Sequence, residues 1–566
     1  MRPRFPLNPA SHNNTAARTT TLRTGLLPVL VAVLGLLWFL PLGGRVLIHP
    51  DEGRYAALSL QMLHSGDWVT PRLNGLLYFE KPALQYWIGA IAFGLLGATE
   101  FAARLWPALA GFLTVLAVGF TAARLWDRDT GLRAGAIAGG CAWTIANSHF
   151  LTLDAGLTLF LTLVLCAVLL AERVGLPAAL RRRWIWLAWA AMAGAVLSKG
   201  LVGIVIPAGT LVLVCGWQRD VRLLRGMHWL SGTALLLLLT APWFLLVSAR
   251  NPGFAQFFFI HEHFARYLTD VHRREGAWWY YLPLLVAGFM PWTGSLPWLA
   301  RREPPSLPPG PAGAATTPIL LAWAGFVLVF FSISHSKLPS YILPMFPALA
   351  LLLAARLRQV PAATLRWHLL LPAAVWAGAA LLATQLHRFT APSTPPAAVA
   401  ALAGGLYLGA LLVLGGIVLA WYGLGRQRVT AAVLALAFAH LAAVTVVLQS
   451  HNGFGQTKSA AALAAVLRPL VGQDVPVFAV RSYDQTLPFY LGRNVVLVDY
   501  VDEFAFGQQH EPGASLPTLQ AFVARWSALP QAAAYMPRDV WAVLAAHGVP
   551  MRVVFEDPNR VVVVRK

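Results

Sequence analysis

The sequence predicts a polytopic α-helical membrane protein of about thirteen spans, followed by a small α/β domain over 449–566. Three observations carry this. Of 566 residues, 58% are hydrophobic, above the roughly 45–50% of a soluble chain, and only 12% are charged, about half the usual share. Apolar runs such as Gly25–Leu47 are long enough to cross about 30 Å of hydrocarbon. From Gln449 onward the apolar runs shorten to strand length (VPVFAV, VVLVDY, MRVVF, RVVVV), with helical patterns such as TLQAFVARWSALP between them.

The elements follow in order. The basic start MRPRFPLNPASHNNTAARTTTLRTG precedes a run too long for a signal-peptide core and without a clear small-residue cleavage site. It is read as a retained first span with a cytoplasmic N-terminus. Basic connectors at 124–133, 173–183, 219–225, 301–311, 356–366 and 425–428 belong on the cytoplasmic side. The expected spans are then 25–48, 104–125, 133–150, 155–173, 184–198, 200–217, 228–248, 278–300, 317–334, 338–356, 366–386, 399–421 and 430–448. The run 82–98 is short and follows the polar YFEKP, so it is expected to lie in the interface or to re-enter. This parity puts the loops 49–103 and 249–277, and the α/β tail, on the outer face. The plain reading of the tail is a packing or substrate-guiding lid.

The net charge is +20, with 33 basic and 14 acidic residues before Gln449 but 10 and 9 from there on. The excess lies in short loops between spans, which excludes a nucleic-acid partner. Cys141, Cys166 and Cys215 sit in apolar segments and read as packing residues, not a disulfide framework. No P-loop or dinucleotide fingerprint occurs, so no nucleotide cofactor is expected.

Every polar cluster outside the basic connectors falls on the outer face: HPDEGRYA, LYFEKP, LTLDAG, LSKG, HEHFARYLTDVHRREG and SHSKLPSY. In the first, Asp51 and Glu52 read plainly as a solvated helix end, yet Arg54 and Tyr55 add a cation and a phenol within a turn. A carboxylate in a membrane-edge cavity can stabilise a developing cationic sugar carbon or accept a proton. Glu52 stays undecided. Asp154 reads plainly as an N-cap, but carboxylates at a membrane edge are costly and take partners, here Arg54 or a lysine from another loop. In YFEKP, Tyr78, Glu80 and Lys81 precede a helix start, where a lysine opposes the dipole and an anionic ligand explains it better. Lys199 and Lys337 each sit between apolar runs, with Tyr341 one turn after the latter. Singly each is a snorkelling lysine; together with Lys81 they point to phosphate. The segment with His261, His263, Arg266 and His272 reads plainly as a loop, although Glu80 and His261 could hold a divalent ion beside a phosphate.

Taken in order, Asp-Glu after the first span, then RYA, YFEKP, LDAG, SKG, HEHFARY and FFSISHSKLPSYILPMFPALALLLA resemble the C-type, multi-spanning glycosyltransferases that use polyprenyl-phosphate sugars. These are relatives of the protein O-mannosyltransferases, and the likeness is greatest to the bacterial aminoarabinose transferases. The resemblance covers most of the membrane part and implies C-type glycosyltransferase architecture in the bacterial inner membrane, with site and tail facing the periplasm. It implies 4-amino-4-deoxy-L-arabinose carried by undecaprenyl phosphate as donor, a phosphate of lipid A as acceptor, and polymyxin and cationic-peptide resistance as the outcome. It places Asp51 and Asp154 as the catalytic acids. Arg54, Tyr55, Tyr78, Lys81, Lys199, Lys337 and Tyr341 would bind substrate, and Glu80 and His261 would hold a metal, zinc first.

The chemistry is self-consistent. Polyprenyl phosphate leaves as an anion that cations stabilise, and single displacement inverts the sugar carbon. A phosphate acceptor is already anionic at pH 7, so Asp51 orients and stabilises charge, whereas a hydroxyl acceptor on a protein would make it a base. Transport of an amphipathic lipid is the rival class. No inverted repeat relates the halves, and no polar cluster sits in mid-span to form a path.

Overall fold

In the computed structural model, residues 25–265, 276–299, 312–391, 394–472 and 474–565 are described. Segment 1–24, all of connector 301–311, the His263 side chain, Arg266 and His272 lie outside them.

Among the described residues, nine helices are long and apolar enough to cross a membrane. They cover the expected spans 25–48, 104–125, 155–173, 228–248, 317–334, 338–356, 366–386, 399–421 and 430–448. The other four expected spans are also helical, but each has a reason to fall short. Helix α8 (Ala178–Lys199) begins with Arg181, Arg182 and Arg183, and α9 (Val202–Gln218) has 17 residues. The remaining two are broken. Residues 133–150 form α5 (Arg128–Gly140) and α6 (Ala142–Ser148), parted at an extended Cys141. Residues 278–300 form Tyr281–Gly288 and Leu296–Leu299 around Pro291. The breaks brace each other. The Ala142 amide donates to the Met290 carbonyl at 2.9 Å, and the Trp292 indole donates to the Ile137 carbonyl at 3.0 Å. Backbone groups freed within a bilayer need partners, and each broken helix supplies the other's. All three cysteines are buried and free.

The loop 49–103 is itself folded. Helix α2 (Asp51–Ser65) leads to a hairpin of β1 (Arg72–Leu73) and β2 (Leu76–Leu77), then α3 (Leu84–Leu96). At about 1.5 Å per residue, α3 reaches roughly 20 Å, short of the about 30 Å of a bilayer core. It packs on α2 where Gly89 leaves room for Ser59: a Cβ on Gly89 would lie 2.4 Å from the Ser59 hydroxyl. Helices α4 (Glu100–Leu125) and α7 (Asp154–Ala171) follow, and α7 is enclosed on nearly all sides.

The tail is an α/β domain. Strands β3 (Val477–Val480), β4 (Val496–Val498), β5 (Ser515–Leu516), β6 (Ala533–Pro537), β7 (Met551–Glu556) and β8 (Arg560–Arg565) form one sheet in the order β5-β4-β3-β6-β8-β7. The first four are parallel, and β8 and β7 are added antiparallel. Alternate residues face opposite ways. Phe478, Val480, Ala534 and Met536 pack beneath Phe522 and Trp526 of the tail's own helices. Val477, Ala479, Ala533 and Tyr535 join a core that also holds Tyr55, Leu58, Phe79 and Tyr86 of the loop 49–103. The tail therefore shares a hydrophobic core with the layer that carries HPDEGRYA, rather than resting on it as a loose lid.

Candidate active site

Two neighbouring acids open α2, and the helix turn sends them apart. Glu52 is 2% exposed. Its carboxylate takes both arms of the Arg104 guanidinium from α4, at 2.7 and 2.8 Å, and accepts the Leu151 and Ile48 amides at 3.0 and 3.2 Å. Arg104 also donates to the carbonyls of Leu42, Arg45 and Val46. Burial opposes the Glu52 charge, but Arg104 outweighs it and holds the acid below its usual range. Glu52 is thus a strut that ties the end of the first span to α2 and α4.

Asp51 points the other way, with 43% of its side chain exposed and Arg54 Nη1 2.9 Å away. Arg54 is buried, and its Nε meets Glu503 of the tail at 2.5 Å. Glu503 also accepts from Gln485 at 2.7 Å. Burial pushes Glu503 above the usual carboxylate range, and Arg54 only partly offsets it. The approach of the tail is possible because of Gly53: a Cβ there would lie 2.4 Å from the Thr486 amide nitrogen. Tyr55 and Tyr78 are buried beside Arg54, and burial raises both phenols well above their ordinary values, so they are neutral here.

Residues after β2 carry the next group. Lys81 donates to the Glu80 carbonyl at 2.6 Å and to Glu262 at 3.1 Å, while the Glu80 carboxylate is 3.8 Å away. Glu262 is nearly inaccessible and lies on the π-helical turn Gln256–Ala265, where His261 Nδ1 stands 3.6 Å from it. The field of Glu80 reaches Arg54, Tyr55 and Tyr78, which joins this group to that of Asp51.

Asp154 starts α7 and is buried. Of the two partners considered for it, the lysine is the one it takes: Lys199, at the end of α8, forms an ion pair with it. Ser340 donates to its other oxygen at 2.8 Å, and the Lys199 ammonium lies 4.3 Å from the Tyr341 ring centre. Asp154 is the first residue of the helix, not its cap.

Lys337 joins none of these groups. Its ammonium donates to the carbonyls of Ser332 and Ser334, at 2.9 and 2.5 Å, where the helix Thr316–Ile333 ends. The three lysines thus occupy three settings. Glu80 and His261 fall short of the four ligands zinc takes in structural sites. Among the described residues no group of three His, Cys, Asp or Glu side chains could hold a metal. The Glu80 carboxylate already faces an ammonium, so no step is derived through an ion.

Sequence reasoning missed Arg104, Glu262, Glu503, Gln485 and Ser340. Arg104 had a signal, since an arginine inside an apolar helix demands a partner. Glu262 stood within HEH but was passed over for its neighbour. Glu503 had no local signal.

The assembled site has one accessible carboxylate, buried cations matched to acids, and neutral phenols. It suits an anionic ligand whose phosphate competes for Lys81 and Arg54. Comparisons with known proteins place the chain in a family. A family model described as "Aminoarabinose transferase C-terminal domain" matches residues 463–565, and one described as "Dolichyl-phosphate-mannose-protein mannosyltransferase" matches 24–258. An undecaprenyl phosphate-alpha-4-amino-4-deoxy-L-arabinose arabinosyl transferase of Pseudomonas paraeruginosa is 36% identical over 373 residues, 64% of this chain and 66% of that protein. The crystal structure of ArnT from Cupriavidus metallidurans bound to undecaprenyl phosphate superposes with a TM-score of 0.90 at 36% identity, covering 96% of this chain and 98% of that one. Its apo state gives a TM-score of 0.89 over the same shares. This chain is a multi-pass membrane protein and belongs to the aminoarabinose transferase family.

Proposed function

We propose that the protein transfers 4-amino-4-deoxy-L-arabinose from undecaprenyl phosphate to a phosphate of lipid A, at the periplasmic face of the inner membrane. The observation that carries this is near-complete structural correspondence, at 36% identity, with a relative solved with undecaprenyl phosphate bound. The cation-lined site under the tail supports it.

A phosphate oxygen of lipid A attacks the anomeric carbon. The bond from that carbon to the undecaprenyl phosphate oxygen breaks, and undecaprenyl phosphate leaves as an anion with inversion at carbon. Lys81 and Arg54 stabilise the leaving phosphate, for which each must loosen its hold on Glu262 or Glu503. Asp51 holds Arg54 and faces the positive charge that develops on the sugar. No general base is needed, because the nucleophile is already ionised. Asp154, through Lys199 and Tyr341, positions the far wall of the site. Tyr55 and Tyr78 donate as neutral phenols.

The test is mass spectrometry of lipid A from a Gram-negative strain that lacks its own transferase and expresses this chain. The expected result is the gain of one aminopentose and restored polymyxin resistance. Unmodified lipid A with normal protein levels overturns the reading.

A further inference from the structure

Displacement between two phosphates requires both to be present at once, one leaving and one attacking. They repel, and each needs a cation of its own. Lys81 and Arg54 serve the first. A cleft of about 650 Å³ supplies a place for the second. Its outer wall is apolar and turned toward lipid: Trp278, Leu282, Val329 and Ile333 are exposed. Its polar lining includes an exposed His335 and the buried Lys337.

Lys337 is the unusual member. It is 6% exposed, and among the described residues its ammonium donates to two neutral carbonyls. No carboxylate among the described residues lies within ion-pair distance of it, whereas Lys81 faces Glu262 and Lys199 faces Asp154. A buried charge without a counter-ion is costly unless a ligand supplies one. Burial also lowers the lysine's pKa, a penalty that an anion at its side would reverse. Ser340 and Tyr341, a few residues along the same segment, touch Asp154 and Lys199. The cleft is therefore coupled to the site by continuous chain.

We propose that this cleft seats the acceptor lipid, with its phosphate at Lys337 and an acyl chain along Trp278 and Ile333. The inference rests on the function proposed above, and names the place where that function's second substrate docks.

Steady-state kinetics on the purified full chain test it, with undecaprenyl-phosphate aminoarabinose and lipid A varied separately. Lys337→Ala is expected to raise KM for lipid A about tenfold, the worth of one charge-assisted hydrogen bond, with KM for the donor unchanged. Lys337→Arg keeps most of the acceptor affinity. Because Lys337 also closes a helix end, Ile333→Trp provides an independent arm. It fills the cleft from an exposed position, and it too should raise KM for lipid A alone. A rise in donor KM instead, or no rise in acceptor KM for a folded Lys337→Ala or Ile333→Trp, overturns the proposal. Inhibition by inorganic phosphate as strong as by an unreactive lipid phosphate would also overturn it, since the apolar wall would then contribute nothing. If the wild type itself adds no aminopentose to lipid A, the functional reading fails. If it does and these variants behave as wild type, only the docking site fails.

Discussion

Asp51 and Glu52 share a peptide bond and little else. One has 43% of its side chain exposed and pairs with an arginine a turn away. The other is sealed in a five-residue knot around Arg104. The 100° turn of a helix separates them, so two acids that read alike in sequence take different places: one is open to solvent, the other is locked into the packing beneath it.

The sharpest way to test that contrast is to remove each acid. Asp51→Ala is expected to lower transfer about 100-fold or more, the range for a charge that acts in the transition state. Because Asp51 is itself 43% exposed and the buried Arg54 keeps Glu503 as its partner, thermal unfolding should scarcely move. Lipid A mass spectra and melting curves on the same preparation check both halves.

Glu52→Gln should do the reverse, costing about 3–5 kcal/mol by leaving Arg104 buried without its charge partner, with any loss of activity following the loss of folded protein. The pH dependence has a definite sign. Arg104 depresses the folded-state pKa of Glu52 below its ordinary value of 4.5. Its stabilisation is complete above that value and is lost as pH falls through the depressed one. The gap in melting temperature between wild type and Glu52→Gln should therefore be wide at pH 7 and close only below pH 4.5. A gap that stays constant down to strongly acid pH contradicts the ion-pair account.

Between the two acids and Arg54 sits Gly53, whose bare Cα lets the tail approach. Gly53→Ala should cost about 1–3 kcal/mol through overpacking and loosen the tail. Faster proteolysis near residues 451–460 would report it. The smallest expected effect concerns metal. Zinc bound to purified protein should be low and equal in wild type and His261→Ala, and a stoichiometric content lost in the variant would place an ion at Glu80 and His261.

What the sequence made legible divides along similar lines. The helical spans followed from hydropathy, because a bilayer imposes a length and a composition that any window can detect. Asp51, Lys81, Asp154 and Lys199 stood out as charges between apolar runs. Their partners did not. Glu52–Arg104, Lys81–Glu262 and Arg54–Glu503 join residues far apart in the chain, and such pairings leave no periodicity behind. The setting of Lys337 was hidden for a related reason: its spacing matches that of Lys199, but the carbonyls that hold it belong to the end of the preceding helix. The two broken spans were equally hidden, since hydropathy measures how apolar a stretch is and not whether its backbone is continuous.

The contact between Arg54 and Glu503 has a temporal meaning. A chain leaves the ribosome N-terminus first, at about 5–20 residues per second, so Arg54 precedes its partner by roughly 20 to 90 seconds. Throughout that interval the loop 49–103 has its arginine but not the acid that matches it. The half of the core supplied by the sheet is missing as well. Completion of this arrangement therefore waits on the tail. A chain cut short after its final membrane helix would carry every residue of HPDEGRYA and still lack the arrangement that gives those residues a purpose.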